Sequence, residues 1–222
     1  MIFPRPVRAV VFDMDGLLIN SEVVIRDAMM ATAHDMGAEL PNDVFIRMVG
    51  LTYAASDAVA QAHFGPAFPL GDFNAEVWRR AQAVFDAEDI LKDGVTEILD
   101  WLERAGVARG VATSSGHEHV RRQLERSGVY ARMQTIVARG DYERGKPHPD
   151  PFLVAATRLG VAPADCLALE DSHNGVRAAH AAGMMTVMVP DLLEPTEEMR
   201  EKCLAIADTL HDVREALEAA AR

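Results

Sequence analysis

The sequence predicts an α/β fold, a parallel sheet with helices on both faces, interrupted after its first strand by an all-helical insertion. Three observations carry that prediction. Short runs rich in Val, Ile and Leu recur with little polar alternation, as strands covered on both faces require. Helical patterns with clear stops lie between them, so strand, helix and strand alternate, which implies parallel pairing with right-handed crossovers. Residues 20–90 break the alternation and read as helix after helix, with no convincing strand.

In chain order, Val7–Phe12 is the first expected strand. The insertion follows, with Ser21 placed to cap a helix that ends near Gly37. Further helices are expected to start near Pro41, Thr52 and Asp72, separated by Gly50-Leu51 and by the breaker-rich Gly65-Pro66-Ala67-Phe68-Pro69. Trp78 and Phe85, seven residues apart on one helical face, are expected to pack this insertion. The alternation then resumes. Helix Val95–Ala105 stops at Gly106, strand Val107–Ala112 follows, and helix His119–Ser127 stops at Gly128. After strand Thr135–Ala138 comes helix Pro151–Leu159, with Asp150 as its cap, proline at its first position and Gly160 as its stop. Strands Cys166–Leu169 and Thr186–Val189 complete the expected sheet, and His211–Arg222 reads as an amphipathic helix. The organisation is therefore a Rossmann-like α/β core from residues 1–19 and 91–222, with a helical domain at 20–90.

Composition narrows the function. With 222 residues, 49% hydrophobic and 25% charged, the chain has ordinary globular usage, against a disordered or fibrous protein. Its formal charge of −12 repels phosphodiester backbones and no Lys/Arg-rich run offsets it, which argues against nucleic acid as a partner. An acidic protein that acts on a small anion has to neutralise that anion locally, a task suited to a divalent cation. Cys166 and Cys203 lack metal-like spacing and are expected as reduced thiols. The apolar part of the first residues is too short for a signal peptide, and no run of about 18 apolar residues occurs. A cytoplasmic protein with no membrane contact is expected, with a monomer as the preferred state.

Ligands of open α/β sheets bind outside the carboxyl ends of the strands. The segments that fall there are Asp13-Met14-Asp15-Gly16, Thr113-Ser114-Ser115-Gly116, Lys146-Pro147-His148-Pro149-Asp150 and Glu170-Asp171-Ser172. Asp13 and Asp15, two apart at a strand end, project to the same side, so one can serve as nucleophile and the other as proton donor. Four acids converging on one point repel each other unless a cation sits among them, and oxygen-only ligands with room for water suit Mg²⁺. Lys146 adds a second positive charge, and the Thr113 hydroxyl with backbone N–H groups at a helix start can hold phosphate oxygens. Each piece alone has an ordinary structural explanation as a turn, a cap, a surface lysine or an acid-decorated helix start. Their joint placement, in this order, matches phosphoryl transfer through an aspartyl-phosphate.

Val10-Val11-Phe12-Asp13-Met14-Asp15-Gly16-Leu17-Leu18, with Thr113, Lys-Pro-His-Pro-Asp from Lys146, and Leu169-Glu170-Asp171-Ser172, resembles the haloacid dehalogenase superfamily. Within it, the chain is similar to the phosphatases grouped with β-phosphoglucomutase and bacterial sugar-phosphate phosphatases, over nearly its whole length. The resemblance implies Asp13 as nucleophile and Asp15 as the acid that protonates the leaving alkoxide and then activates water. It implies Mg²⁺ held by Asp13, the backbone carbonyl of Asp15 and Asp171, with Glu170 a direct or water-mediated ligand, and Thr113, Ser114 and Lys146 on the phosphate. It further implies that residues 20–90 form a helical cap domain, with Gly50, Thr52 and Arg47 on the substrate side. The expected partner is a small-molecule phosphate ester, such as a hexose phosphate or phosphoglycolate.

Three other readings compete with this one. β-Phosphoglucomutases carry a histidine twelve residues after the nucleophile, where this chain has Ile25, which favours hydrolysis over mutation. Haloacid dehalogenation lacks the acid at the Asp15 position and needs no metal. A non-catalytic phospho-acceptor switch also uses acids, a Thr/Ser and a Lys at strand ends, but in a different order. His117 and His119 read as exposed side chains, because the further ligands of a zinc site are not visible.

Overall fold

A computed structural model describes residues 1–51 and 53–221. Among the described residues the six strands are β1 (Ala9–Phe12), β2 (Ala108–Gly116), β3 (Thr135–Arg139), β4 (Cys166–Glu170), β5 (Met185–Met188) and β6 (Ala205–Ile206). They form one parallel sheet in the order β3-β2-β1-β4-β5-β6. Every residue of β1, β4 and β5 is buried, which explains why these strands read as continuous apolar runs. The chain moves outward from β1 to β2 and β3, then crosses back to place β4 on the other side of β1. Phe12 lies opposite both Val111 and Leu169, so the segments that follow β1, β2 and β4 emerge side by side at this reversal point.

The structure divides into two compact units, Met1–Ile19 with Leu91–Arg222, and Asn20–Ile90. In the first, the helices are α5 (Val95–Ala105), α6 (His117–Arg126), α7 (Asp150–Leu159), α8 (His173–Ala181), α9 (Glu197–Lys202) and α10 (Leu210–Ala220). Phe152 of α7 belongs to a buried cluster that includes Val11, Ala112, Val137 and Ala168, one residue from each of four strands. Full burial of such a side chain stabilises the fold by about 1.5–3 kcal/mol. In the second unit, the helices are α1 (Ser21–Asp35), α2 (Asn42–Ile46), α3 (Tyr53–Phe64) and α4 (Leu70–Ala87). Arg80 of α4 reaches Asp35 of α1 at 2.6 Å, and Phe64, Phe68 and Phe73 form a ring cluster where the glycine- and proline-rich turn doubles back. The unit's ends are adjacent: Asn20 N donates to Ile90 O at 2.8 Å. In the first unit, Ile19 and Leu91 form an antiparallel bridge. No helix among the described residues is long and apolar enough to cross a membrane.

Several local expectations change. Ser21 is the buried first residue of α1 rather than its cap; Asn20 occupies the cap position and makes no side-chain cap bond. Asp150 is likewise the first residue of α7, after Pro149, and its carboxylate turns back to accept from Arg144 N (3.3 Å) and from the Arg144 guanidinium (2.9 Å). Trp78 is 42% exposed beside Tyr53, because the buried stripe of α4 advances by fours through Phe73, Val77, Ala81 and Phe85. β6 and α9 were not anticipated; two and six residues are too short to show a period.

Candidate active site

The first acid is placed by the ladder itself. Asp13 N donates to Leu169 O at 2.9 Å, extending the β1–β4 pairing by one residue and aiming the buried carboxylate off the end of the sheet. The chain then turns at Gly16, whose φ of +82° is the left-handed conformation that glycine adopts without strain. A side-chain carbon there would also collide with the Asp171 carboxylate.

Glu170 and Asp171 are held from the opposite strand. Glu170 is fully buried: Oε1 accepts from Lys146 Nζ at 2.6 Å, and Oε2 accepts from Asp171 N, Ser172 N and the Ser172 hydroxyl at 3.2, 3.3 and 3.0 Å. Ser172 is also the cap of α8, its oxygen accepting from Gly175 N at 3.1 Å. The carboxylate rests directly on Gly175, where any Cβ would overlap it. Gly175→Ala is therefore expected to destabilise the protein by about 1–3 kcal/mol, as overpacking does. Thermal unfolding followed by circular dichroism checks this; an unchanged Tm would mean that the Glu170 carboxylate is not fixed against α8.

Lys146 Nζ bridges Asp13 and Glu170 and is nearly out of solvent. Burial pulls its ammonium group down, but the attraction of Asp13 and Glu170 outweighs this and keeps it charged. Burial also pushes the Asp13 carboxyl up to about 8; Lys146 opposes the shift, while Glu170 and Asp15 add to it. Asp13, Glu170 and Asp171 each offer one carboxylate oxygen, all within 4.8 Å of one another. Three buried acids against one lysine is a donor set that fits a hard divalent cation taking oxygen ligands.

Asp15 is held by the end of β2. Ser115 Oγ donates to its Oδ2 at 2.7 Å and Thr113 Oγ1 donates to the same oxygen at 3.4 Å, while Thr113 Oγ1 accepts from Ser115 N at 3.0 Å. The His119 ring stands 3.9 Å from Asp15 Oδ1 and is only partly exposed, whereas His117 is exposed and faces Asp141 at 3.0 Å. Tyr142 donates to Thr113 O at 3.0 Å.

The structure thus gathers Asp13, Asp15, Thr113, Lys146, Glu170 and Asp171 at one end of the sheet. Ser114 is exposed and hydrogen-bonds to the Tyr142 hydroxyl instead. Arg47 and Gly50 are exposed residues of the second unit, and Thr52 falls outside the described residues. Sequence reasoning gave Ser115 no role of its own, read His119 as exposed where the structure half-buries it beside Asp15, and did not name Asp191 on the loop after β5. The signal for Asp191 was Val189-Pro190-Asp191, one more acid at a strand end.

A family profile described as haloacid dehalogenase-like hydrolase matches residues 10–189, which spans β1 to the end of β5. The chain belongs to the haloacid dehalogenase-like hydrolases. This hydrolase is 32% identical over 199 residues to hexitol phosphatase B of Escherichia coli K12, covering 86% of each chain. It is 32% identical over 200 residues to phosphoglycolate phosphatase of Xanthomonas campestris, covering 84% of this chain and 83% of the relative. Among solved structures, it matches a haloacid dehalogenase family hydrolase from Deinococcus radiodurans, solved with bound phosphate and sodium. That match has a TM-score of 0.83 and 27% identity, over 97% of both chains. Together with the site, these relatives make the chain a haloacid dehalogenase-type phosphatase.

Proposed function

We propose that this hydrolase cleaves the phosphomonoester of a small phosphorylated metabolite through a covalent aspartyl-phosphate on Asp13, with Mg²⁺ as its metal. The observation that carries the proposal is the joining of Asp13, Glu170, Asp171 and Lys146 in one buried cluster, with Asp15 alongside. Asp13 and Asp171 are assigned as direct metal ligands with the Asp15 carbonyl. Glu170, engaged on both oxygens, suits a water-mediated contact. When bound, the metal neutralises charge on the phosphoryl oxygens.

In the first half-reaction, an Asp13 oxygen attacks phosphorus and the ester P–O bond breaks. The departing alkoxide is a poor leaving group and takes a proton from Asp15. In the second, Asp15 accepts a proton from the water that attacks phosphorus, the bond to Asp13 breaks, and inorganic phosphate leaves. Both acids end as they began. Lys146 and Thr113 hold phosphate oxygens; Ser114 joins them in this proposal only by turning from Tyr142. The Ser115 hydrogen bond fixes which Asp15 oxygen is left to handle the proton.

Residues 1–19 with 91–222 are assigned as the catalytic core and 20–90 as a cap domain, with Arg47, Gly50 and Thr52 as its substrate-selecting residues. Two substrate classes come from the relatives' names, hexitol phosphates and phosphoglycolate. Phosphate release from hexitol and hexose phosphates, phosphoglycolate and nucleoside monophosphates, each with Mg²⁺, tests the proposal. Turnover of the first two classes well above the nucleotides is expected. A folded protein that releases phosphate from none of them would overturn the hydrolase reading.

A further inference from the structure

Asp191 has no part in the chemistry proposed above, yet its surroundings are built like part of the same site. It lies three residues beyond β5, in a loop on the carboxyl edge of the sheet. Lys92 Nζ donates to its Oδ1 at 2.5 Å, and the two side chains are 25% and 11% exposed. Its other oxygen, Oδ2, is buried and accepts no hydrogen bond among the described residues. A carboxylate oxygen taken from water without a donor is destabilising, so this geometry needs a partner that supplies one.

The surroundings of Oδ2 indicate where that partner belongs. A side-chain carbon on Gly16 would collide with Asp171 Oδ2 and stand 3.4 Å from Asp191 Oδ2. Both oxygens therefore border the same point of the Gly16 backbone, close enough for one water to bridge them. Two facing carboxylates repel each other unless donor protons or a cation stand between them. The acids whose ligand atoms gather within 4.8 Å are Asp13, Glu170 and Asp171; Asp191 is not one of that group.

We propose that Asp191 is a positioning residue that holds, through Oδ2, a water ligand of the divalent cation on the Asp171 side. Lys92 fixes the orientation of the carboxylate and balances its charge. The inference depends on the metal site proposed above. The rival explanation, an ion pair that only fastens the segment after Leu91 to the loop after β5, leaves Oδ2 without a partner and affects stability alone.

Titration with Mn²⁺, followed by the electron paramagnetic resonance signal of the free ion, separates the two. It is run on the wild type, Asp191→Asn, Lys92→Met and the double variant, with the metal-free Tm of each. Outer ligand partners typically govern metal affinity by about 10–100-fold, and a loss in that range is expected for Asp191→Asn with little change in Tm. Lys92→Met is expected to bind Mn²⁺ at least as tightly as wild type, because it leaves the site more negative. If Asp191→Asn does not fold, the double variant, which carries no buried charge at this pair, is expected to show the same weakening relative to Lys92→Met. Unchanged affinity in the Asp191 variants, with Mn²⁺ still bound by wild type, would overturn this inference and leave the metal site standing. A wild type that binds no Mn²⁺ would overturn both.

Discussion

Asp13→Asn is expected to reduce phosphate release by about 10⁴-fold or more while leaving the fold intact, the scale of loss seen when a covalent nucleophile is removed. The amide keeps the size of the carboxylate but cannot attack phosphorus, so no aspartyl-phosphate forms. The fold should survive because Lys146 retains Glu170, whose own hydrogen bonds to Ser172 and the backbone do not involve Asp13. Phosphate release and circular dichroism on the same preparation check both halves of the expectation. Activity within tenfold of wild type in a folded Asp13→Asn would rule out covalent catalysis.

Removal of the metal should be nearly as damaging. Three buried carboxylates share one lysine here, and a phosphate ester brings further negative charge to the same place. Lewis-acid stabilisation supplies several kcal/mol, so EDTA is expected to lower turnover by about 10³-fold, with recovery on adding Mg²⁺. The metal-free chain should also show a characteristic pH trend. An unfolded Asp13 ionises near 3.8, whereas burial delays its ionisation in the folded chain to about 8. The folded state therefore binds this proton more tightly, and metal-free stability should fall as pH rises from about 4 through about 8. Mg²⁺ should flatten that fall. Urea unfolding at pH 5 and pH 8, with and without Mg²⁺, measures it; metal-free stability that rises across this window would contradict the assigned environment of Asp13.

The parts of this molecule legible in its sequence are those where one signal dominates. Fully buried strands such as β1 and β4 announce themselves as apolar runs, and acids directly after them stand out because nothing about strand structure requires them. Four acids singled out in this way, Asp13, Asp15, Glu170 and Asp171, gather with Thr113 and Lys146 at the reversal point of the sheet. What stayed hidden depended on partners distant in sequence. Ser115 touches Asp15 across 100 residues, and Lys92 reaches Asp191 across 99; no local pattern encodes such pairs. Caps were misread for a related reason, since Ser21 and Asp150 have the right chemistry but sit one residue inside their helices. Where competing local signals were close, tertiary packing decided, as with Trp78 set just off the buried stripe of α4.

The hydrogen bond from Asn20 to Ile90 and the bridge between Ile19 and Leu91 put the departing and returning segments next to each other. Strand β1 and helix α5 therefore meet a doorway rather than a gap, and what passes through it is free to vary without stretching the sheet. A polypeptide of another size, or only a tight turn, would satisfy the same closure, because joining two neighbouring ends costs little loop entropy. On this architecture the segment between Ile19 and Leu91 is exchangeable as a cassette, while the acids at the strand ends stay where the sheet puts them.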